Sequence, residues 1–161
     1  MKRVLELTLS IALASIAAGA AAQEAPAEDT SKWRFLTRVG QTPVIVSEDV
    51  KGQAVKTVEA HTILGTRHSS GADGILTTFE VDCPKRTIKD TGSIALDGAK
   101  PLGKVPSQTK GEAVKMEPQT FFGAVGMYAC MRFAASGDKK VITGKAAAIK
   151  YAKAKASGAI N

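Results

Sequence analysis

The chain has two cysteines and two histidines in 161 residues, an aromatic share of 5%, and no long apolar run beyond residue 22. Each scarcity excludes a class of chemistry. Cys83 and Cys130 stand 47 positions apart, so the C-x-x-C spacing favoured by dithiol redox sites and many zinc sites is missing. His61 and His68 have no cysteine or acidic side chain at metal-ligand spacing, and read as a surface histidine in a strand and another in a loop. There is no G-x-S-x-G elbow. The stretch from Gly137 to Lys145 places six residues between its glycines and has Ala146 where a phosphate loop needs Ser or Thr for magnesium. No cofactor or metal site is therefore expected. Acidic residues are scarce at the C-terminus, where residues 137–161 hold only Asp138 against six lysines.

What is present begins with an export signal. Lys2 and Arg3 precede an apolar, Ala-rich run from Leu7 to Ala22, and Ala20-Ala21-Ala22 has the small-residue form that signal peptidase accepts. Cleavage after Ala22 is expected. An uncleaved anchor is the alternative, but a run of 16 residues is short for a span of about 20. The run holds no cysteine for acylation, so the mature chain is expected to carry no lipid and no transmembrane span.

The remaining 139 residues are the size of one domain. Residues 23–32, rich in Ala, Pro, Glu and Asp, read as a flexible leader. Residues 33–136 read as the globular domain and 137–161 as a basic Lys/Ala-rich tail. The charge is uneven: residues 23–136 carry 14 Lys and Arg against 13 Asp and Glu, so the basic excess sits in the tail. A near-neutral body argues against nucleic acid as a partner. The tail has good helix propensity, yet its lysines fall all round the helical wheel and leave no clean apolar face, which predicts a solvated segment. Lys139, Lys140, Lys145, Lys150, Lys153 and Lys155 are its candidate contacts to an anionic envelope polymer or acidic protein.

Within the body, short strand-like segments recur between turn signals: Trp33 to Arg38, Pro43 to Ser47, Val55 to Leu64, Ile75 to Cys83, Lys85 to Lys89 and Ser93 to Leu96. In the clearest, Ile75, Thr77, Phe79, Val81 and Cys83 share one face and Thr78, Glu80 and Asp82 the other, with Leu76 breaking the alternation. Ser69 to Gly74 reads as a polar loop, Asp97-Gly98 as a turn, and Ala99 to Lys115 yields no convincing element. Phe121 to Met131 is the helix candidate, started near Pro118 and carrying, with Phe133 just beyond, four of the chain's eight aromatics. Gly123 and Gly126 cost such a helix about 1 kcal/mol each relative to Ala, so another backbone is expected close by, placed here at the end of the Ile75 to Cys83 strand.

Two cysteines in an exported chain are most simply paired. Closing a loop with this spacing is worth roughly 4 kcal/mol in the chain-entropy model. A redox-active pair is the alternative. The fold class that follows is α+β: a small antiparallel β-sheet with a C-terminal helix packed on it and tied by the Cys83–Cys130 disulfide.

This body resembles the surface-adhesin protein E family of small Gram-negative envelope proteins. The resembling residues are Trp33, the segment Val44-Ile45-Val46-Ser47-Glu48-Asp49, Phe79-Glu80-Val81-Asp82-Cys83 with Arg86 beyond it, and Glu117-Pro118-Gln119-Thr120 leading to Cys130. The chain departs from that pattern at Lys115 and Met116, where many members carry a Trp, and in its Lys/Ala tail. The resemblance implies the same sheet, helix and bridge, and a noncatalytic protein of the periplasm or cell surface that binds a partner. A structural envelope protein held at anionic polymers by its tail is the second reading, and a small enzyme of unrecognised type the third.

Overall fold

The computed structural model describes residues 28–160. The expected signal segment 1–22 and leader residues 23–27 lie outside the described residues.

Strand character in this chain comes from β-branched residues punctuated by glycine turns, and it produces a long antiparallel meander. The strands are β1 (Lys32–Val39), β2 (Thr42–Ser47), β3 (Lys51–Gly52), β4 (Val55–Ile63), β5 (Gly74–Asp82), β6 (Thr87–Asp97), β7 (Lys100–Lys104), β8 (Val114–Lys115) and β9 (Val141–Thr143). The helices are α1 (Phe121–Met131) and α2 (Lys145–Ala156). The sheet runs β7-β6-β5-β4-β2-β1-β9, with β3 paired to β4 and β8 to β6. All of its pairings are antiparallel. The architecture is α+β, with a helix tied to the sheet by the Cys83–Cys130 disulfide.

The two segments Lys85 to Lys89 and Ser93 to Leu96, expected as separate strands, are one strand, β6, interrupted by a bulge opposite Thr78 and Phe79. The polar Asp90-Thr91-Gly92 stretch that suggests a break is that bulge, a device that lets an extra residue leave the ladder without ending it. β7 emerges from the Ala99 to Lys115 stretch despite Pro101 and Gly103, because an edge strand tolerates a residue that donates no ladder hydrogen bond. Lys100, Pro101 and Lys104 also blunt that edge against pairing with another chain.

α1 follows from its signals. Thr120 Oγ accepts from Gly123 N at 3.0 Å as N-cap, and Arg132 closes the other end in the left-handed conformation, its N–H donating to Tyr128 O. Val125, Tyr128 and Ala129 pack onto Leu36, Val46, Val58, Phe79 and Ile88, with Phe121 and Phe122 edge-on to the Phe79 ring at 5.7 and 6.1 Å. The two helix glycines do admit a close neighbour, but not the end of β5. A Cβ at Gly123 would overlap the Glu117 carbonyl and one at Gly126 would overlap Met116 Sδ, so the segment leading into the helix folds back over it.

The largest departure from expectation is at residues 137–161, which do not form a solvated tail over 141–156. β9 pairs with β1, Ile142 opposite Trp33, and α2 lies on the sheet face opposite α1. Ala148, Ile149 and Ala152 are buried there against Trp33, Phe35, Ile45, Ile63 and Leu76. The helix needs no broad apolar face because the sheet supplies the bulk and small alanines let the backbones approach. This second cover explains Leu76: its neighbours Phe79 and Val81 face α1, whereas Leu76 faces α2. It also explains why β2, between β4 and β1, is buried on both faces from Pro43 to Ser47.

The expected flexible leader is likewise fixed at its described end. Asp29 accepts from Lys145 N at 2.7 Å, and Gly144 N donates to Ser31 O at 2.7 Å. Gly144 offers no side-chain cap, so Asp29 supplies from a distant segment the carboxylate that the α2 N-terminus favours. The Ser31 hydroxyl and the Lys145 amide hold the Asp29 carboxyl below its usual range.

Candidate functional site

The basic residues singled out from sequence sit mainly on α2 and the segment before β9, and the fold uses most of them internally. Lys145 Nζ lies 5.1 Å over the Trp33 ring and Lys140 Nζ 4.8 Å over the Tyr151 ring. Lys153 and Lys155 each stand 3.8 Å from a carboxylate, Asp73 and Asp138 respectively. Tyr151 Oη donates to Asp138 at 2.8 Å, and its burial together with that carboxylate pushes the phenol up to about 12. Lys139 and Lys150 are exposed and, among the described residues, have no ion-pair or aromatic partner. The six lysines therefore do not converge on one basic patch.

The cysteine pair is bonded, with Cα atoms 5.7 Å apart, and joins the end of β5 to the last turn of α1. Beside it lies a cavity of about 290 Å³ lined by Met116, Met127, Met131 and Arg86. Glu80 and Asp82 project to the wet face and are matched by Lys89 at 2.9 Å and Lys85 at 3.1 Å. His68 is in the polar loop, its Nδ1 3.0 Å from Ser70 Oγ.

His61 is not a surface residue, contrary to the sequence expectation. It is 1% exposed, on the α2 face of β4, and neither ring nitrogen has a hydrogen-bond partner. Burial, reinforced by the Lys145 charge, pushes it down to about 4, so it is neutral at pH 7. No metal-holding group of His, Cys, Asp and Glu side chains forms among the described residues.

An open groove of about 570 Å³ lies beside α2 on the same face of the sheet, floored by Glu59, Leu76, Thr78 and Ile94 and walled by Lys104 and Ser107. Its wall is held by a residue that the sequence reading passed over. Asp90, buried at the β6 bulge, accepts from the Ser107 hydroxyl, from Gln108 N at 2.5 Å and from Thr109 Oγ at 2.8 Å. Burial alone would raise this carboxyl, but the surrounding hydroxyls and amides outweigh it and hold it below the usual range. Asp90 thus clamps the segment after β7 against the sheet as a carboxylate whose charge its donors favour. Its signal in the sequence is an Asp within a strand pattern, joined by Ser107-Gln108-Thr109 only once the chain has folded.

A second polar knot ties the C-terminal end of α1 to β1 and to the end of β2. Glu48 accepts from Arg34 Nε at 2.7 Å and from Arg132 at 2.7 Å, and Arg132 lies 4.9 Å over the Tyr128 ring. Its members are consumed by one another, which marks it as a tether rather than a reactive centre. Comparison with protein-family models, curated proteins and solved structures finds no match to this chain.

Proposed function

We propose that this protein is a noncatalytic, exported binding module of the periplasm or cell surface that engages a protein partner through the groove on the α2 face of its sheet. The observation that carries this reading is the Asp90 clamp. It fixes residues 107–109, of which Ser107 forms part of the wall beside an uncovered stretch of β4, β5 and β6, and a preorganised wall lowers the ordering cost of binding. Thr78, Ser107, Glu59 and Lys104 offer hydrogen-bond and charged contacts around apolar Leu76 and Ile94, a composition suited to a peptide or protein surface. Asp90 in the groove is engaged by donors and His61, outside it, is sealed beneath α2, so neither stands free for acid–base work. The Cys83–Cys130 bond and the N-terminal signal pattern support export, and the resemblance to the surface-adhesin protein E family supports partner binding.

Retention at anionic polymers by lysines is the competing reading, and the internal engagement of Lys140, Lys145, Lys153 and Lys155 weighs against it. Photocrosslinking in living cells separates the two. A crosslinker in place of Thr78 is expected to capture a defined partner that resists salt, whereas one in place of Lys150 is not. Capture only from Lys150, lost on raising the salt, would replace the groove by electrostatic docking.

A further inference from the structure

His61 is out of place by every ordinary rule for a buried imidazole. Such a ring normally donates one N–H and accepts at the other nitrogen, yet neither atom has a partner. The ring is accommodated only because position 74 is glycine, where a Cβ would overlap Nε2. The charged groups that face it are Lys145 and Lys153 from α2 and Asp73 from the loop before β5. Asp73 is already engaged, accepting from Gly98 N at 2.8 Å and lying 3.8 Å from Lys153. β1, β2 and β6 present apolar Trp33, Phe35, Ile45 and Leu96 to the seat, and β5 presents Leu76. Along β4 itself, Glu59 shares this face but lies out in the open groove.

We propose that His61 is an acid-operated latch whose protonation unseats α2 from the sheet while the sheet, α1 and the disulfide stay folded. An imidazolium in this buried seat would be a third cation beside Lys145 and Lys153, with no protein group to accept from either N–H. The strain has two ways out, and they differ in cost. β4 lies between β5 and β2 in the sheet and cannot leave without breaking both ladders. α2 is the last element among the described residues, held by Ala148, Ile149 and Ala152, by the Asp29 carboxylate at its first amide and by rim contacts of its lysines and Tyr151. α2 is the element that moves.

The direction with pH follows from linkage. A histidine whose pKa is depressed in the closed form binds more protons when α2 is off, so seating is fully favoured above about 6.5 and weakens as pH falls toward about 4. Across that window the closed-to-open ratio falls by about two powers of ten. Release would bare Trp33, Phe35, Ile45 and Ile63, an apolar surface continuous with the groove.

Trp33 is the chain's only tryptophan and sits in this seat under Lys145, so its fluorescence reports α2 directly. In the exported chain with its disulfide intact, lowering the pH from 7.5 to 3.5 is expected to red-shift Trp33 emission between about pH 6 and 4. Far-UV sheet signal persists, and hydrogen exchange rises selectively in residues 145–156. His61→Leu removes the transition. Lys153→Gln gives up only a long, half-exposed pair, which contributes little to holding α2, while it reduces repulsion and frees Asp73; it moves the midpoint to lower pH and serves equally if the His61 variant does not fold. Simultaneous loss of sheet signal and Trp33 shift, an unchanged transition in both variants, or no transition above pH 3.5 would overturn the latch.

Discussion

Gly74 and His61 show how much a single position depends on what faces it. A methyl at residue 74 has no room, because the imidazole of His61 already fills that space on the α2 face. Gly74→Ala is expected to destabilise the protein by about 1 to 3 kcal/mol, the usual cost of overpacking. In a His61→Ala background the same change is expected to cost much less, because the clash is gone. Urea denaturation of the four members of this cycle measures the coupling, and additive effects would show that the two residues do not share one space. At this scale the sequence was a mixed guide. The alternation of Phe79 and Val81 was legible, and so was a close approach at Gly123 and Gly126, though its partner is the Met116–Glu117 segment and not the end of β5. His61 and Asp90 were not, because each is defined by partners that are distant in sequence: Lys145 and Lys153 for the one, Ser107 to Thr109 for the other.

Among the elements, α1 and α2 divide the chain into what pattern discloses and what it hides. α1 carries its own capping residue and its own aromatics, and its bounds, Phe121–Met131, coincide with those expected. α2 carries three buried side chains, two of them alanine, so its helical wheel shows charge everywhere and no stripe. The signal for it lay elsewhere, in Val44-Ile45-Val46 and in the misplaced Leu76, which announce a sheet apolar on both faces and therefore two covers. A chain ending at Ser136 would lack both β9 and α2 and expose Trp33, Phe35 and Ile45. It is expected to keep the sheet and α1 but to melt at a lower temperature and to self-associate, as read by calorimetry and light scattering. A monomer with the full-length chain's melting transition would show that these elements are dispensable. The gentler Ile149→Ala removes the one large anchor of α2 and is expected to cost about 2 to 4 kcal/mol.

For the molecule as a whole, a seven-strand path with a helix on each face stands in place of the one-sided sheet that the sequence suggested, and the disulfide staples only one of the two layers. The bond fixes the last turn of α1 to the end of β5, but α1 is also held by buried Val125 and Tyr128, by the Thr120 cap and by the bridge from Arg132 to Glu48. Its main contribution is therefore to restrict the unfolded chain, by roughly 4 kcal/mol for a closed loop of this length. A domain of this size has a total stability of about 5 to 15 kcal/mol, so the reduced protein is expected to remain folded at 25 °C with a thinner margin. With a urea dependence of about 2 kcal/mol per molar, the midpoint should fall by about 2 M on reduction. Cys83→Ser with Cys130→Ser should reproduce that drop with little change in the Trp33 emission, because Trp33 lies in the opposite layer under α2. A midpoint unchanged by reduction would mean that the tether restricts nothing the packing of α1 does not already hold; complete unfolding on reduction would mean that α1 depends on the bond to stay on the sheet.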